Sequence, residues 1–501
     1  MLHYIIMKIK YYLLLTLYFT FILTTIDFAS FNNNHFLTEK DIFSIESKRN
    51  SKQTLTFPDF SGNIIAFPGA EGYGKNATGG RYGKLYCVTN LSDAGHGSFR
   101  DAVSEPNRIV VFKVAGIIEL SSNPIKLLSN QTILGQTAPG DGIVLYGGRL
   151  SASGASNTIV RYLRIRMGAN FQGQSDAVGM AYGTNVIFDH CSITWGKDEN
   201  FSISSSNRTK PLENITIQNS IIGQGLQNHS CGGLMQTDMT GGVTIFRNLY
   251  IDNHTRNPKV KGLNQFVNNV VYNWGGGTAY DMGGNSKGPS ETTIENNYFI
   301  LGPAETYRGS RQSNGEIVVK KNTLTPSKPF KGGNSLFRTY WAGNYFDDNK
   351  DGKLNGRLMN FEKDCEGSPT FLETRSVLHS LIQSQTSAES AYEWIVENVG
   401  ATLPKRDQVD TYLVKELTSL GLKGIIIQNE TNKDQFPIGG PGFIQTGSIQ
   451  LDSDNDGIPD AFEEKWGLEN DDPSDALKIA PNGYTNIENY AFSLEYPELY
   501  K

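Results

Sequence analysis

At 501 residues, with a net charge of −6 and four cysteines, the chain has room for one large domain with appendages and too few cysteines to be held together by disulfides. Cys87, Cys191, Cys231 and Cys365 stand at spacings that match no zinc pattern. Thirteen acids against three lysines make residues 441–501 −10 and leave the preceding 440 residues at +4. A mildly basic body suits a polyanionic partner; nucleic acid is excluded because no basic cluster is interleaved with aromatics.

Residues 1–30 have the form of a signal peptide. Lys8 and Lys10 precede residues 11–26, an uncharged run closed by Asp27. That run is shorter than the roughly 20 residues of a membrane span, and Ala29 or Ser30 would mark the end of the leader. The expectation is export, to the medium, the periplasm or the cell surface, with no membrane attachment once the leader is removed. Residues 31–60 read as a polar spacer. Strand-like runs separated by glycines then begin.

From about residue 130 a unit recurs: an apolar residue, two variable positions, then a small residue or Asn. It reads Ile133–Gln136, Val160–Leu163, Phe188–Cys191, Ile217–Ser220, Ile245–Asn248, Phe266–Asn269, Ile294–Asn297, Val319–Asn322 and Trp341–Asn344. The fourth positions fall 27, 28, 29, 28, 21, 28, 25 and 22 residues apart. Helical repeats run to about 33 residues or more, and these segments are short and β-branched. The expected fold is all-β: a right-handed single-stranded parallel β-helix over residues 61–350. Asn248, Asn269, Asn297, Asn322 and Asn344 would stack at one bend and satisfy one another's amides. None stands in a glycosylation sequence. Cys191 is expected to be a small buried residue.

Residues 250–262 place Arg256, Lys259 and Lys261 close together around Pro258. Side chains alternate along an extended run, so a bend at Pro258 is needed to bring Arg256 and Lys261 onto one surface. A carboxylate-bearing substrate and a solvated basic loop are both open at this point. Residues 351–440 read as a helical extension packed on the β-helix, with helices over 387–398 and 408–420. A glycine-rich link, 437–447, leads into an acidic module, 441–501. There Asp452, Asp454, Asp456, Gly457 and Glu463 match the calcium-loop pattern Asp-x-Asp-x-Asp-Gly-x5-Glu. Ile458 would add its carbonyl and Asp460 a water-mediated contact, in a structural role.

Three stretches together resemble the pectate lyases of polysaccharide lyase family 1. The first is Asn157-Thr-Ile-Val-Arg-Tyr-Leu-Arg-Ile-Arg with Asp176-Ala-Val and Asn185-Val-Ile-Phe-Asp-His. The second is Trp195-Gly-Lys-Asp-Glu-Asn-Phe-Ser, and the third is Arg256-Asn-Pro-Lys-Val-Lys-Gly. The resemblance covers roughly residues 66–345 and implies calcium-dependent β-elimination on polygalacturonate by a monomer. It implies Arg256 as the base, with an electrostatic role as the rival, and Asp176 and Asp198 as calcium ligands. The family's second calcium-motif aspartate falls at Ser202, with Glu199 as the substitute, although strand alternation would turn Glu199 away. Lys261 replaces the second arginine of the third motif, keeping charge without the fork. Lys259 lies between them as a further substrate contact. The family's substrate lysine falls near 227–229, where His229 stands, as a substitute or as a structural histidine. Asp189 and His190 are expected to be structural, and Gly95-His96-Gly97 lacks the paired carboxylates of a hydrolase. The alternatives are a pectin lyase on methyl-esterified chains and a β-helix that binds pectin without turnover.

Overall fold

A computed structural model describes residues 55–501 apart from 61, 122, 205–208 and 284–288. The leader, 1–30, and most of the 31–60 spacer lie outside the described residues. From Lys84–Val88 onward, short strands stack in parallel, apart from the antiparallel last strand Arg357–Leu358, into sheets of eleven, ten and nine strands, which form the three walls of a β-helix. The recurring apolar positions make one row. Ile133, Val160, Phe188, Ile217, Ile245, Phe266, Ile294 and Trp341 pair in turn across the eleven-stranded sheet. All but Trp341 are 0% exposed. Each coil thus buries the same apolar position against the coils above and below, which the period of the repeat dictates.

The bend after this row explains the unit's remaining positions. Tyr162, His190, Asn219, Arg247, Asn268, Asn296 and Gly343 each hold a positive φ, between 49° and 65°, immediately before the fourth position. A left-handed residue turns the chain sharply into the ten-stranded sheet, and Asn and Gly take that conformation most readily. The fourth position then faces inward. Asn248, Asn269, Asn297 and Asn344 form the expected ladder, each N–H or amide donating to the next Oδ1 at 2.8–3.2 Å. Cys191 and Ser220 extend it downward through backbone N–H donors.

Asn322 is a correction. It lies in an antiparallel hairpin, Glu305–Arg311 with Ile317–Thr323, outside the ladder, and Asn297 bonds directly to Asn344. The alternation of Ile317-Val-Val-Lys-Lys-Asn suits a hairpin strand as well as a coil strand, so local pattern could not separate them. The coils also run past residue 350: Cys365–Glu366 and Thr370–Phe371 end the nine- and eleven-stranded sheets.

Two helices, Ala388–Asn398 and Gln408–Leu417, lie on the ten-stranded sheet. Ser387 and Asp407 cap them, and Tyr392, Ile395, Val409, Leu413 and Leu417 pack on Leu249, Ile251, Val270 and Tyr272. Asp407 and Asp410 meet the buried guanidinium of Arg166 at 2.8 and 3.0 Å. Residues 441–501 are not a detached bead. Ile458, Ile487 and Tyr490 pack on Ile109, Val111 and Leu134. Glu488 and Glu495 pair with Arg81 and Arg161 of the β-helix.

One buried acid pair joins helix to coil. Asn273 Nδ2 donates to Asp252 Oδ1 at 2.6 Å. Burial pushes Asp252 up to about 6, and burial with Asp252 beside it pushes Glu416 well above the usual carboxylate range. The folded chain therefore keeps protons that the unfolded chain releases, and stability falls as pH rises from about 4 through the folded values. Glu416→Gln removes the charge at constant shape. Its melting temperature should fall less than that of the wild type as pH rises above about 6. Parallel melting curves above that pH would show that the pair does not titrate there.

Candidate active site

The acids and cations singled out in the sequence meet at one turn, the one that leads each coil into the nine-stranded sheet. Asp176 precedes Val178–Met180, Asp198 and Glu199 precede Phe201–Ile203, His229 and Cys231 precede Leu234–Gln236, and Arg256 precedes Lys259–Lys261. The backbone locks these turns together: Ala177 N–H donates to Glu199 O, Asn200 N–H to Cys231 O and Gly232 N–H to Thr255 O, all at 3.0 Å. Neighbouring coils are about 4.8 Å apart, so side chains from successive turns touch.

The carboxylates of Asp176, Asp198 and Glu199 lie with ligand oxygens within 4.8 Å of one another. Strand alternation does not turn Glu199 away, because 196–200 is a bend with an isolated bridge rather than a strand. Glu199 N–H donates to Asp176 Oδ1 at 3.3 Å, which ties the two turns. Each acid has its own basic partner. Arg149 Nη2 stands 3.4 Å from Asp176 Oδ2, His229 Nε2 2.8 Å from Asp198 Oδ1, and Arg256 Nη1 contacts Glu199 Oε1. The side chain of Arg256 is 28% exposed and that of Glu199 3%, so the cation faces the groove and the acid lies beneath it.

Burial, with Asp176 and Asp198 beside it, pushes the Glu199 carboxyl up to about 8 against the pull of Arg256. Burial works to release the proton of Arg256, but Cys231, Glu199 and Asp198 outweigh it and raise its pKa. The crowding of the three acids thus favours a proton on Glu199, and a cation among them would relieve that crowding in the proton's place. Three hard oxygen donors in that state fit a calcium ion. Cys231 also approaches Glu199 and His229, but burial raises its thiol, so it does not serve as a thiolate ligand.

Ser202 lies inside the strand Phe201–Ile203, paired with Gly179, and its Oγ is buried without a partner. The space a side chain at Gly179 would take is filled by the Arg149 guanidinium. Arg149 was not singled out from the sequence, since nothing local sets it apart from other arginines. In the strand of the third motif, Val260 is buried in the core, and Lys259 and Lys261 point outward together. The turn onto that face is made at Arg256 itself, which holds φ 57°, as well as by Pro258. Asp189 and His190 lie in another part of the molecule. Asp189 is fully buried against Arg161, and His190 stacks on Tyr162 with centroids 4.7 Å apart.

Two further features escaped the sequence. Asn200, Asn253 and Asn257 form a buried chain of amide bonds at 2.9 Å, which joins the turn of Glu199 to that of Arg256. A cleft of about 530 Å³ opens beside His229, lined by Lys197, Gln227, Asn228, Gln428 and Asn429. Its outer wall comes from the end of the helical extension, where Gln227 N–H donates to Ile427 O at 2.9 Å. The 305–323 hairpin flanks it, with Asn228 and Gly309 exchanging two hydrogen bonds. The calcium-loop residues Asp452, Asp454, Asp456, Ile458, Asp460 and Glu463 belong to neither feature. Ile458 packs on the eleven-stranded sheet, and both carboxylate oxygens of Asp460 accept from Ser453 at 2.7 Å.

A family profile described as pectate lyase matches residues 72–402. A probable pectate lyase C of Aspergillus flavus is 46% identical over 440 residues, covering 88% of this chain and 96% of that protein. A probable pectate lyase C of Aspergillus terreus is 47% identical over 431 residues, covering 86% and 94%. A solved pectate lyase from Bacillus sp. N165 in complex with trigalacturonate is 17% identical, with a TM-score of 0.43, over 66% of this chain and 98% of that one. The chain belongs to the pectate lyase family. It is an enzyme, a polysaccharide lyase of pectin degradation.

Proposed function

We propose that the protein is an exported, calcium-dependent pectate lyase that cleaves polygalacturonate by β-elimination and leaves 4,5-unsaturated oligogalacturonides. One observation carries the reading: three carboxylates from two successive turns converge within 4.8 Å, and Arg256 reaches into them from a third turn. A calcium ion held by Asp176, Asp198 and Glu199 would offset the substrate carboxylate and the charge that develops on it. The neighbouring carboxylates hold a proton on Arg256; a calcium ion on them would offset that pull, and at alkaline pH the deprotonated guanidinium takes the C5 proton, which is α to the C6 carboxylate. The electron pair forms the C4–C5 double bond, the C4–O4 bond breaks, and the leaving oxygen gains a proton from water. Lys259 and Lys261, outward on the strand that follows Arg256, hold the carboxylates of neighbouring sugar units. His229 sits where the cleft meets Asp198 and orients that acid.

The charge pattern supports free acids over methyl esters as substrate, since an ester removes the charge that these cations meet. Polygalacturonate should yield ultraviolet-absorbing unsaturated uronides, and a chelator should stop their release. Turnover should fall as methyl-esterification rises. Faster cleavage of highly esterified pectin, undiminished by chelator, would assign the groove to a pectin lyase instead.

A further inference from the structure

The C-terminal loop holds a second set of carboxylates, unrelated to the groove. Asp452, Asp454 and Asp456 bring ligand oxygens within 4.8 Å of one another, and so do Asp456, Glu463 and Asp475. Asp456 belongs to both groups and joins the five acids into one cluster. Three of them are deeply buried: Asp456 and Asp475 are 2% exposed and Glu463 0%.

The hydrogen bonds divide these oxygens into two kinds. One oxygen each of Asp454, Asp456 and Asp475 shapes the loop, and both of Asp452 do, its Oδ1 accepting from Asp456 N–H at 3.2 Å. Asp452 Oδ2 accepts from Gly457 N–H at 2.9 Å, Asp456 Oδ1 from Ile458 N–H at 2.8 Å, and Asp454 Oδ1 from Asp456 N–H at 3.2 Å. Asp475 Oδ2 accepts from Glu469 N–H at 2.9 Å. The other kind is turned inward with no partner: Asp454 Oδ2, Asp456 Oδ2, Asp475 Oδ1 and both oxygens of Glu463. Buried carboxylate oxygens without partners are costly, and a cluster of evenly matched hard donors is what a calcium ion requires. Lys113 reaches this loop from the eleven-stranded sheet and meets Asp452 Oδ2 at 2.7 Å and Asn455 Oδ1 at 3.1 Å, leaving the unpartnered oxygens unmet.

We propose that this loop is a non-catalytic calcium site whose ligands are Asp452, Asp454, Asp456, Glu463 and Asp475, and that the ion staples the end of the chain to the first coils. The ligand set differs from the twelve-residue pattern in two places. Asp460 is withdrawn, because both its oxygens clamp Ser453. Asp475, twelve residues beyond Glu463, takes its place from outside the loop. The stapling follows from what lies behind the ion. Gly457 passes so close to the eleven-stranded sheet that a Cβ there would stand 2.8 Å from Val111 Cγ2. Its neighbour Ile458 is buried among Ile109, Val111 and Leu134. An ordered loop therefore keeps the apolar flank of the first coils covered.

The test uses the full chain, stripped with chelator and titrated separately with calcium and with magnesium. Bound metal is counted by equilibrium dialysis, and hydrogen exchange is read over residues 452–475. Calcium should slow exchange there by at least about tenfold, and magnesium should not match it, because it resists a site with so few places for water. Glu463→Gln and Asp475→Asn should each weaken one calcium equivalent by about 100-fold, since each removes a ligand charge. Asp460→Asn, which still accepts from Ser453, should leave that equivalent in place. Unchanged exchange over 452–475 in the wild-type chain overturns the site by itself, whether or not the variants fold. Equal protection by magnesium overturns the choice of ion. Loss of the equivalent in Asp460→Asn with retention in Asp475→Asn overturns the ligand set.

Discussion

Arg256→Lys should reduce turnover on polygalacturonate by about 10³-fold, the middle of the range that a positioned proton-transfer group supplies. The variant should keep the wild-type melting temperature to within a few degrees, because lysine keeps a cation beside the buried Glu199 and residue 256 is partly exposed. Lysine preserves the positive charge beside Glu199, so an electrostatic role alone would survive the change. What lysine loses is the planar fork, which lets one nitrogen engage Glu199 while another faces the substrate. Turnover within about tenfold of the wild type would remove Arg256 from proton transfer and leave it as a charge.

Asn253→Ala should damage both stability and catalysis, although residue 253 touches no substrate. Asn253 is 0% exposed and makes four hydrogen bonds. Its Oδ1 accepts from Asn200 Nδ2 and Gly225 N–H, both at 2.9 Å. Its Nδ2 donates to Ile222 O at 3.0 Å and Asn257 Oδ1 at 2.9 Å. Alanine leaves these partners buried and unpaired, at about 1–3 kcal/mol for each group that stays unsatisfied. The loss should show as a lower denaturation midpoint in urea. Asn200 adjoins Glu199 and Asn257 adjoins Arg256, so the acid and the cation lose their common support. A shift of about 1 Å at a catalytic group is worth roughly 10²-fold in rate, and turnover per folded molecule should fall by that order. Asn253→Asp keeps the acceptor and loses the donor, so it should fall between the two. A destabilised Asn253→Ala variant with normal turnover per folded molecule would confine the residue to stability.

Much of this molecule is legible along the chain. The apolar row from Ile133 to Trp341 could be read because every coil buries the same position, so the requirement recurs at the coil period. The Asn ladder was legible for the same reason. Arg256, Asp176 and Asp198 stood out through motif likeness, and the structure sets them on equivalent turns of neighbouring coils. Glu199 was harder. Alternation was the rule applied to it, and alternation governs strands, whereas 196–200 is a bend.

Other features are set by contacts between coils, which no local pattern records. The Ile317–Thr323 segment has the composition of a coil strand and becomes half of a hairpin because the next coil, at Asn344, already satisfies Asn297. Arg149 reaches Asp176 because Gly179 leaves the room a side chain would fill. Asp475 and Asp460 exchange roles because the chain folds back and carries Asp475 into the loop. The sequence by itself determined the period, the buried row and the chemical types at the groove, since each follows from burial or charge repeated at fixed spacing. The tertiary structure alone decided which acid meets which cation. Those pairs span different coils, and a difference of one or two residues in any intervening turn would bring different side chains face to face.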